Sequence, residues 1–309
     1  MGFAQVLRDL ALEAIGHRVR AVTASRSSLD EFAHPPGDAG LFGPESMAWR
    51  VHEHFTAMMV GGLSSLMVQA LHPRALAAVW DHSNFRHNLK ARLGRTAYFV
   101  AATTYGSRDM ALRAIDRVNT IHSQASGTDL QGQPYAANEP MLIRWVHLVE
   151  VSSFLTAFQH LALRPLSPAR CDRYIAEMTQ VGHLLGAVDL PGNWRENEQA
   201  LQDFRPALRF DDRAREILQV IEDYPVDLLD KPFMSLVLQS AFDVMPAWAL
   251  HMTGRRRRCE AQRQATRLAL QGAAAPVQWM LDQQGVAATA RRRVQDKPQP
   301  SAGPLTTAR

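Results

Sequence analysis

Residues 89–127 read LKARLGRTAYFVAATTYGSRDMALRAIDRVNTIHSQASG, and this stretch decides the fold class. Its first part, 89–105, is free of breakers apart from Gly94 and predicts a helix that stops at Gly106, taken as a left-handed C-cap. Ser107 is placed to cap a second helix, with Asp109 in the first turn where the helix dipole favours a negative charge. That helix carries Ile115, Val118, Ile121 and His122 on one stripe and is expected to end near Ser126–Gly127. Two long helices follow one another with almost no connection.

The same pattern continues on both sides. Residues 2–21 predict an opening helix, 33–44 a loop, and Ser46 the cap of one long helix to Leu71. Pro73 disfavours helix at His72 and suits the first position of a short helix over 74–81. Residues 128–137 read as an extended polar connection. Further helices are expected from Asn138–Pro140 to His160, from Ser167–Pro168 to Gly186, and near 197–204, 211–223, 232–253 and 256–284. Alternating runs of β-branched residues are nearly absent, and no fixed-period repeat is present. The expectation is an all-α, multi-helix globular bundle: a single domain over 1–285 and a disordered basic tail over 286–309.

The 309 residues, 46% of them hydrophobic, suffice for a large core. Residues 287–309 hold five cations (Arg291, Arg292, Arg293, Lys297, Arg309) against Asp296, which accounts for the whole formal charge of +4. The remainder is neutral, so the basic pI gives no nucleic-acid-binding face. Two cysteines, Cys171 and Cys259, make no disulfide framework, and a reducing, cytoplasmic setting is expected. No secretory leader is read at the N-terminus. Phe55–Leu71 is uncharged but only about 17 residues long, marginal for a bilayer of ~30 Å, and reads as a core helix. The Arg255–Arg258 run reads as solvated charge, with peripheral contact to acidic lipid as the alternative.

Several chemistries have no foothold. Nucleotide-binding glycine loops and the Gly-x-Ser-x-Gly elbow are missing. His52 and His54 flank Glu53 with the wrong helical spacing for zinc. Glu53 and Glu150 lack the histidine three residues on that a carboxylate-bridged di-iron bundle uses. What remains is the face of Arg92, Arg95 and Thr96, at i, i+3 and i+4. By itself that is a solvated basic face. Just beyond it, however, Tyr98–Ala101 make the helix apolar nearly all round, and an arginine entering such surroundings needs an anionic partner. Haem propionates are anions of that kind. His122 on an apolar stripe is more often a core residue than a ligand, and one histidine is too few for zinc. One proximal histidine is enough for haem iron, because the porphyrin supplies four donors.

A family resemblance rests on ordered motifs over roughly residues 40–250. They are Phe42-Gly-Pro-Glu-Ser46, Trp49-Arg-Val-His52, Leu66-Met-Val-Gln-Ala-Leu-His72-Pro73, His82-Ser83, Arg92-Leu-Gly-Arg-Thr96 and Tyr105-Gly106. His122, Gly127-Thr128, Gly132-Gln-Pro-Tyr135, Asn138-Glu-Pro140, Trp145-Val-His147 and Asp172-Arg-Tyr174 continue the series. The chain thereby resembles the family of the MpaB oxygenase and the rubber oxygenase called latex clearing protein. The resemblance implies an all-α fold around a haem b pocket, and an oxidoreductase acting with dioxygen on a lipophilic, isoprenoid-like or lipid substrate. It implies His122 as the iron ligand and Arg92 at the propionates, with Arg92, Arg95 and Thr96 as the residues acting at the reacting side. Arg95 stands where the rubber enzyme has an iron-capping lysine, and arginine stays protonated. The rubber enzyme's upstream glutamate has no counterpart in 74–80, so rubber cleavage is not implied. A substrate pocket is expected between the helices around Met58–Met67 and Phe154–Phe158, with His147 either bonding oxygen or serving the core. The alternative is a non-enzymatic haem-binding or lipid-binding helical protein.

Overall fold

The computed structural model describes residues 29–86, 88–225 and 227–296. The expected opening helix, 2–21, and the end of the tail, 297–309, lie outside them. The described chain is helical almost throughout. The α-helices are α1 Met47–His52, α2 Phe55–Gln69, α3 Pro73–His82, α4 Leu89–Tyr105, α5 Arg108–Ser123, α6 Pro140–Leu161, α7 Pro168–Leu184, α8 Trp194–Asp203, α9 Asp212–Glu222, α10 Lys231–Val244, α11 Ala247–Met252, α12 Glu260–Gln284 and α13 Val286–Gln295. The exception is a short antiparallel pair, β1 Ser126–Thr128 and β2 Pro134–Ala136, with Gly127 opposite Tyr135. It occupies part of the expected 128–137 connection and ends α5 three residues early.

Helix α6 is the axis. Trp145, Leu148, Leu155, Ala157 and Leu161 on it are fully inaccessible. It is long and apolar enough to cross a membrane, but 72% of its apolar window is buried inside the protein. Burial against partner helices accounts for that composition. Helix α2 packs along it so closely that a Cβ on Gly61 would stand 2.9 Å from the Phe154 Cα and from the Ser153 carbonyl. Only glycine lets the two backbones approach this far. Of the residues expected around a substrate pocket between these helices, Met67, Phe154 and Phe158 are sealed in the interface, while Met58, Met59 and Leu66 are half-buried.

Starts marked in the sequence are real. Ser46 and Ser107 each accept a backbone N–H from the first turn, and Pro73 opens α3 behind a capping His72. The α2–α3 bend at that point is 106°. Three expectations fail. The helix expected over 46–71 breaks at Glu53–His54, where the Gln278 carboxamide accepts from Phe55 N and donates to the Glu53 carbonyl. A side chain from α12 thus replaces helical hydrogen bonds. Gly106 has φ −62°, so it is no left-handed cap. It is tight for another reason, since a Cβ there would meet the Ala102 carbonyl at 2.4 Å. The helix expected over 232–253 is interrupted before Pro246, whose ring cannot sit inside it.

The stretch from Val286, assigned by composition to the tail, is helix to Gln295. Arg293 is fully buried and donates to three backbone carbonyls: Phe32 at 2.9 Å, Asp38 at 2.9 Å and Gly106 at 3.2 Å. Arg291 pairs with Glu53 at the α1–α2 break. Two of the supposed tail charges are structural pins.

Candidate functional site

Helices α4 and α5 form an antiparallel hairpin joined only by Gly106 and Ser107. With so short a connection they pack directly on each other. Arg92 and His122 lie toward the far ends of the two helices, away from that joint.

On α4, the three expected site residues are graded in exposure. Arg92 is half-buried, while Arg95 and Thr96 are exposed. The Arg92 guanidinium donates to Ser83 Oγ at 3.0 Å and has no carboxylate partner among the described residues. Desolvation, with the Arg95 charge second, pulls it down to about 10. A guanidinium so placed, lacking a counter-ion, is primed for an anion. The Thr96 hydroxyl donates back to the Arg92 carbonyl at 3.3 Å, leaving its lone pairs outward.

On α5, His122 lies in the last turn, half-buried. Its Nδ1 is shielded from solvent and without a partner, and neither ring nitrogen makes a hydrogen bond to a described residue. Burial lowers its pKa, which keeps the ring neutral and its lone pair available. Ile121 beside it leaves 54% of its surface exposed, among the exposed polar Thr120, Ser123 and Gln124. Gly127, just beyond, serves the fold: a Cβ there would meet the Tyr135 hydroxyl at 2.8 Å.

His72, His82 and His147 are differently engaged, while His160 on α6 shares with His122 a shielded ring nitrogen without a partner and a pKa lowered by burial. His72 caps α3, its Nδ1 accepting from Ala75 N at 3.4 Å, and His82 Nε2 lies 3.2 Å from the Ser126 carbonyl. His147 is wedged against Gly182 of α7, where a Cβ would stand 2.9 Å from its Cε1. Burial holds it neutral, near 4. That is the core role anticipated for it as the alternative to bonding oxygen.

Two residues that the sequence weighed only as metal ligands, and set aside as such, stand out in the structure. His52 bridges Thr104 Oγ1, 2.7 Å from its Nδ1, and Tyr174 Oη, 3.0 Å from its Nε2. Burial pulls this ring down to about 3, so it is a neutral link between α1, α4 and α7. Glu150, on α6, is a half-buried carboxyl whose pKa desolvation alone raises to about 7. The available signal was that Glu150 is the one Asp, Glu, Lys or Arg between Arg144 and Arg164.

Two surface clefts, of about 350 and 320 Å³, lie elsewhere. One is bounded by Leu29, Gln283 and Arg292, the other by Glu222, Phe242 and Arg258. Neither touches Arg92, Thr96 or His122. Among the described residues no group of three or more His, Cys, Asp and Glu is arranged to hold a metal ion. A one-histidine ligand set fits a macrocycle that brings its own donors, and His122 with Arg92 has that character.

No curated protein and no solved structure matches the chain. The family model described as "ER-bound oxygenase mpaB/B'/Rubber oxygenase, catalytic domain" matches residues 49–279, three quarters of the chain and further toward the C-terminus than the motifs reach. The chain belongs to this mpaB and rubber oxygenase catalytic-domain family, and it is an oxygenase, an oxidoreductase.

Proposed function

We propose that the protein is a haem b-dependent oxygenase that uses dioxygen on a lipophilic substrate of isoprenoid or lipid type. The observation that carries this reading is His122: a neutral imidazole, free at both nitrogens, near the open end of a helical hairpin whose other helix offers an uncompensated guanidinium. Haem b, when bound, supplies the iron that activates dioxygen. This chain's residues do the rest. His122 holds the iron, and its low basicity means no proton has to leave before it binds. Arg92 takes a propionate, which returns a counter-charge to a desolvated cation. Arg95 and Thr96, one turn further along and more exposed, stand on the same face to meet whatever enters.

The expected outcome is a purified protein that carries about one haem b per chain and consumes oxygen with a polyprenyl, carotenoid or fatty substrate. Arg92→Ala should lower haem affinity by roughly tenfold or more, the scale of one lost charge-assisted pair. Chain purified from haem-replete cells without haem would refute the proposal.

A further inference from the structure

The motif His82-Ser83 still lacks a role. It closes α3, and together with Asp81 it gives three consecutive side chains to three different elements. Asp81 accepts from Tyr135 Oη of β2 at 2.7 Å. His82, its proton on Nε2, donates to the Ser126 carbonyl of β1 at 3.2 Å, and its ring meets Tyr135 edge-on, 6.3 Å between centroids. Ser83 Oγ accepts from Arg92 Nη1 of α4 at 3.0 Å. One end of this chain of contacts is therefore Arg92. The other reaches His122, because Ser126 follows it by one turn, closed by Ala125 N on the His122 carbonyl at 3.2 Å. Gly127 belongs to the same arrangement, since Tyr135 lies opposite it in register and a Cβ there would stand 2.8 Å from the tyrosine hydroxyl. The place of these contacts matters. The chain joins α4 to α5 at Gly106 and Ser107, and Arg92 and His122 each lie about 20 Å of helix from that joint. A small change of angle at the joint is magnified at the site unless the far ends are tied.

We propose that Asp81, His82 and Ser83 form a clasp that sets the spacing of Arg92 and His122. Ser83 aims the guanidinium, while His82 and Asp81 hold the segment that follows the imidazole. All three are positioning residues, acting through Arg92 and His122. That the spacing serves a cofactor rests on the haem reading above; the clasp itself rests on three hydrogen bonds. By accepting from Nη1, the Ser83 hydroxyl fixes the plane of the guanidinium and leaves its remaining donors for an anion. A macrocycle held by one imidazole and one guanidinium needs both at a fixed separation. A long arginine already held in place loses less freedom when its ligand arrives.

The test has two arms, both on the full chain. In haem-free protein, amide hydrogen exchange over residues 124–128 should quicken about threefold to tenfold in His82→Phe, the scale of one lost hydrogen bond. It should return to the wild-type rate in His82→Gln, whose carboxamide can donate in the same place. His82→Phe keeps an aromatic ring against Tyr135, so the lost donor is what the exchange reads. In haem-loaded protein, Ser83→Ala should raise the haem dissociation constant about threefold to tenfold, and Ser83→Thr should restore it. Adding Ser83→Ala to Arg92→Ala should weaken haem binding no further, because Ser83 acts through Arg92; a general loss of fold would weaken both backgrounds alike. Unchanged exchange in His82→Phe, or a Ser83→Ala effect that persists in full on Arg92→Ala, would overturn the clasp. A wild type that takes up no haem sinks the haem reading alone, and the exchange arm then decides the clasp. A wild type that holds haem through His122, with every clasp variant equal to it in both arms, sinks the clasp alone.

Discussion

At the scale of single residues, the chemistry reduces to groups left incomplete by the fold. Most polar side chains in the interior are satisfied: His52 by Thr104 and Tyr174, Arg293 by three carbonyls, Asp243 by Arg258. His122, Arg92 and Glu150 are among the groups left incomplete, as are the buried Ser64, Tyr105 and Ser240 hydroxyls and His160 Nε2. Sequence made the first two visible because each breaks a local rule, a cation entering an apolar helix and an imidazole on an apolar stripe. It set Glu150 aside, because a motif search asks which residues neighbour a carboxylate along the chain. What matters here is which residues fail to neighbour it in space. Arg95 and Thr96 were legible as face-mates of Arg92, but their greater exposure depends on where α4 leaves the hairpin. If Thr96 acts at the mouth of the site, Thr96→Val should slow oxygen consumption without loss of haem, and Thr96→Ser should restore it. Equal rates in all three proteins would remove Thr96 from the mechanism.

At the scale of elements, boundaries set by local chemistry were readable, and those set by distant partners were not. Ser46, Ser107 and Pro73 act within one turn, so their helices begin where the residues imply. The α1–α2 break depends on Gln278, over two hundred residues away, and nothing near Glu53 signals it. The α13 helix escaped for the same reason. Its arginines resemble a solvated tail until Phe32, Asp38, Gly106 and Glu53 are brought to them. Two predictions follow from this packing. Arg293→Ala should cost about 3 kcal/mol or more, because two buried carbonyls and one part-buried carbonyl lose a charged donor, and Arg293→Lys should recover only part, as an ammonium lacks the planar fork. Gly61→Val should cost about 2 kcal/mol or more by forcing α2 from α6. Denaturant midpoints measure both. Losses below 0.5 kcal/mol would mean that α13 is not pinned, or that the helices are not held at this separation.

At the scale of the whole molecule, buried histidines tie stability to acid. His52 is lowered to about 3, and His72 and His147 to about 4, from an ordinary 6.5, each mainly by burial. The unfolded chain therefore binds protons that the folded chain refuses. The stabilisation is complete above pH 6.5 and is lost as pH falls toward 4, at up to about 1.4 kcal/mol per unit per histidine. Glu150 runs the other way, since its raised pKa makes the folded chain hold a proton the unfolded chain releases above about 4.5. Three histidines outweigh one glutamate, so stability should rise from pH 4.5 to 6.5. The rise should steepen in Glu150→Gln, and a chemical denaturation series across that range checks both statements. The all-α architecture was legible from helical periodicity and the want of strand patterning. The mutual placement of α4, α5, α6 and α7 was not, because it comes from glycine-mediated contacts such as Gly182 on His147.

The central claim is that His122 holds the iron of a haem. It is tested most directly by the ultraviolet–visible spectrum of the purified protein before and after dithionite and carbon monoxide, run beside His122→Ala. The account predicts a Soret band in the wild type that shifts on reduction and again on carbon monoxide binding, and its loss from a His122→Ala protein that remains helical by circular dichroism. A His122→Ala protein with a full, unshifted Soret band would contradict it.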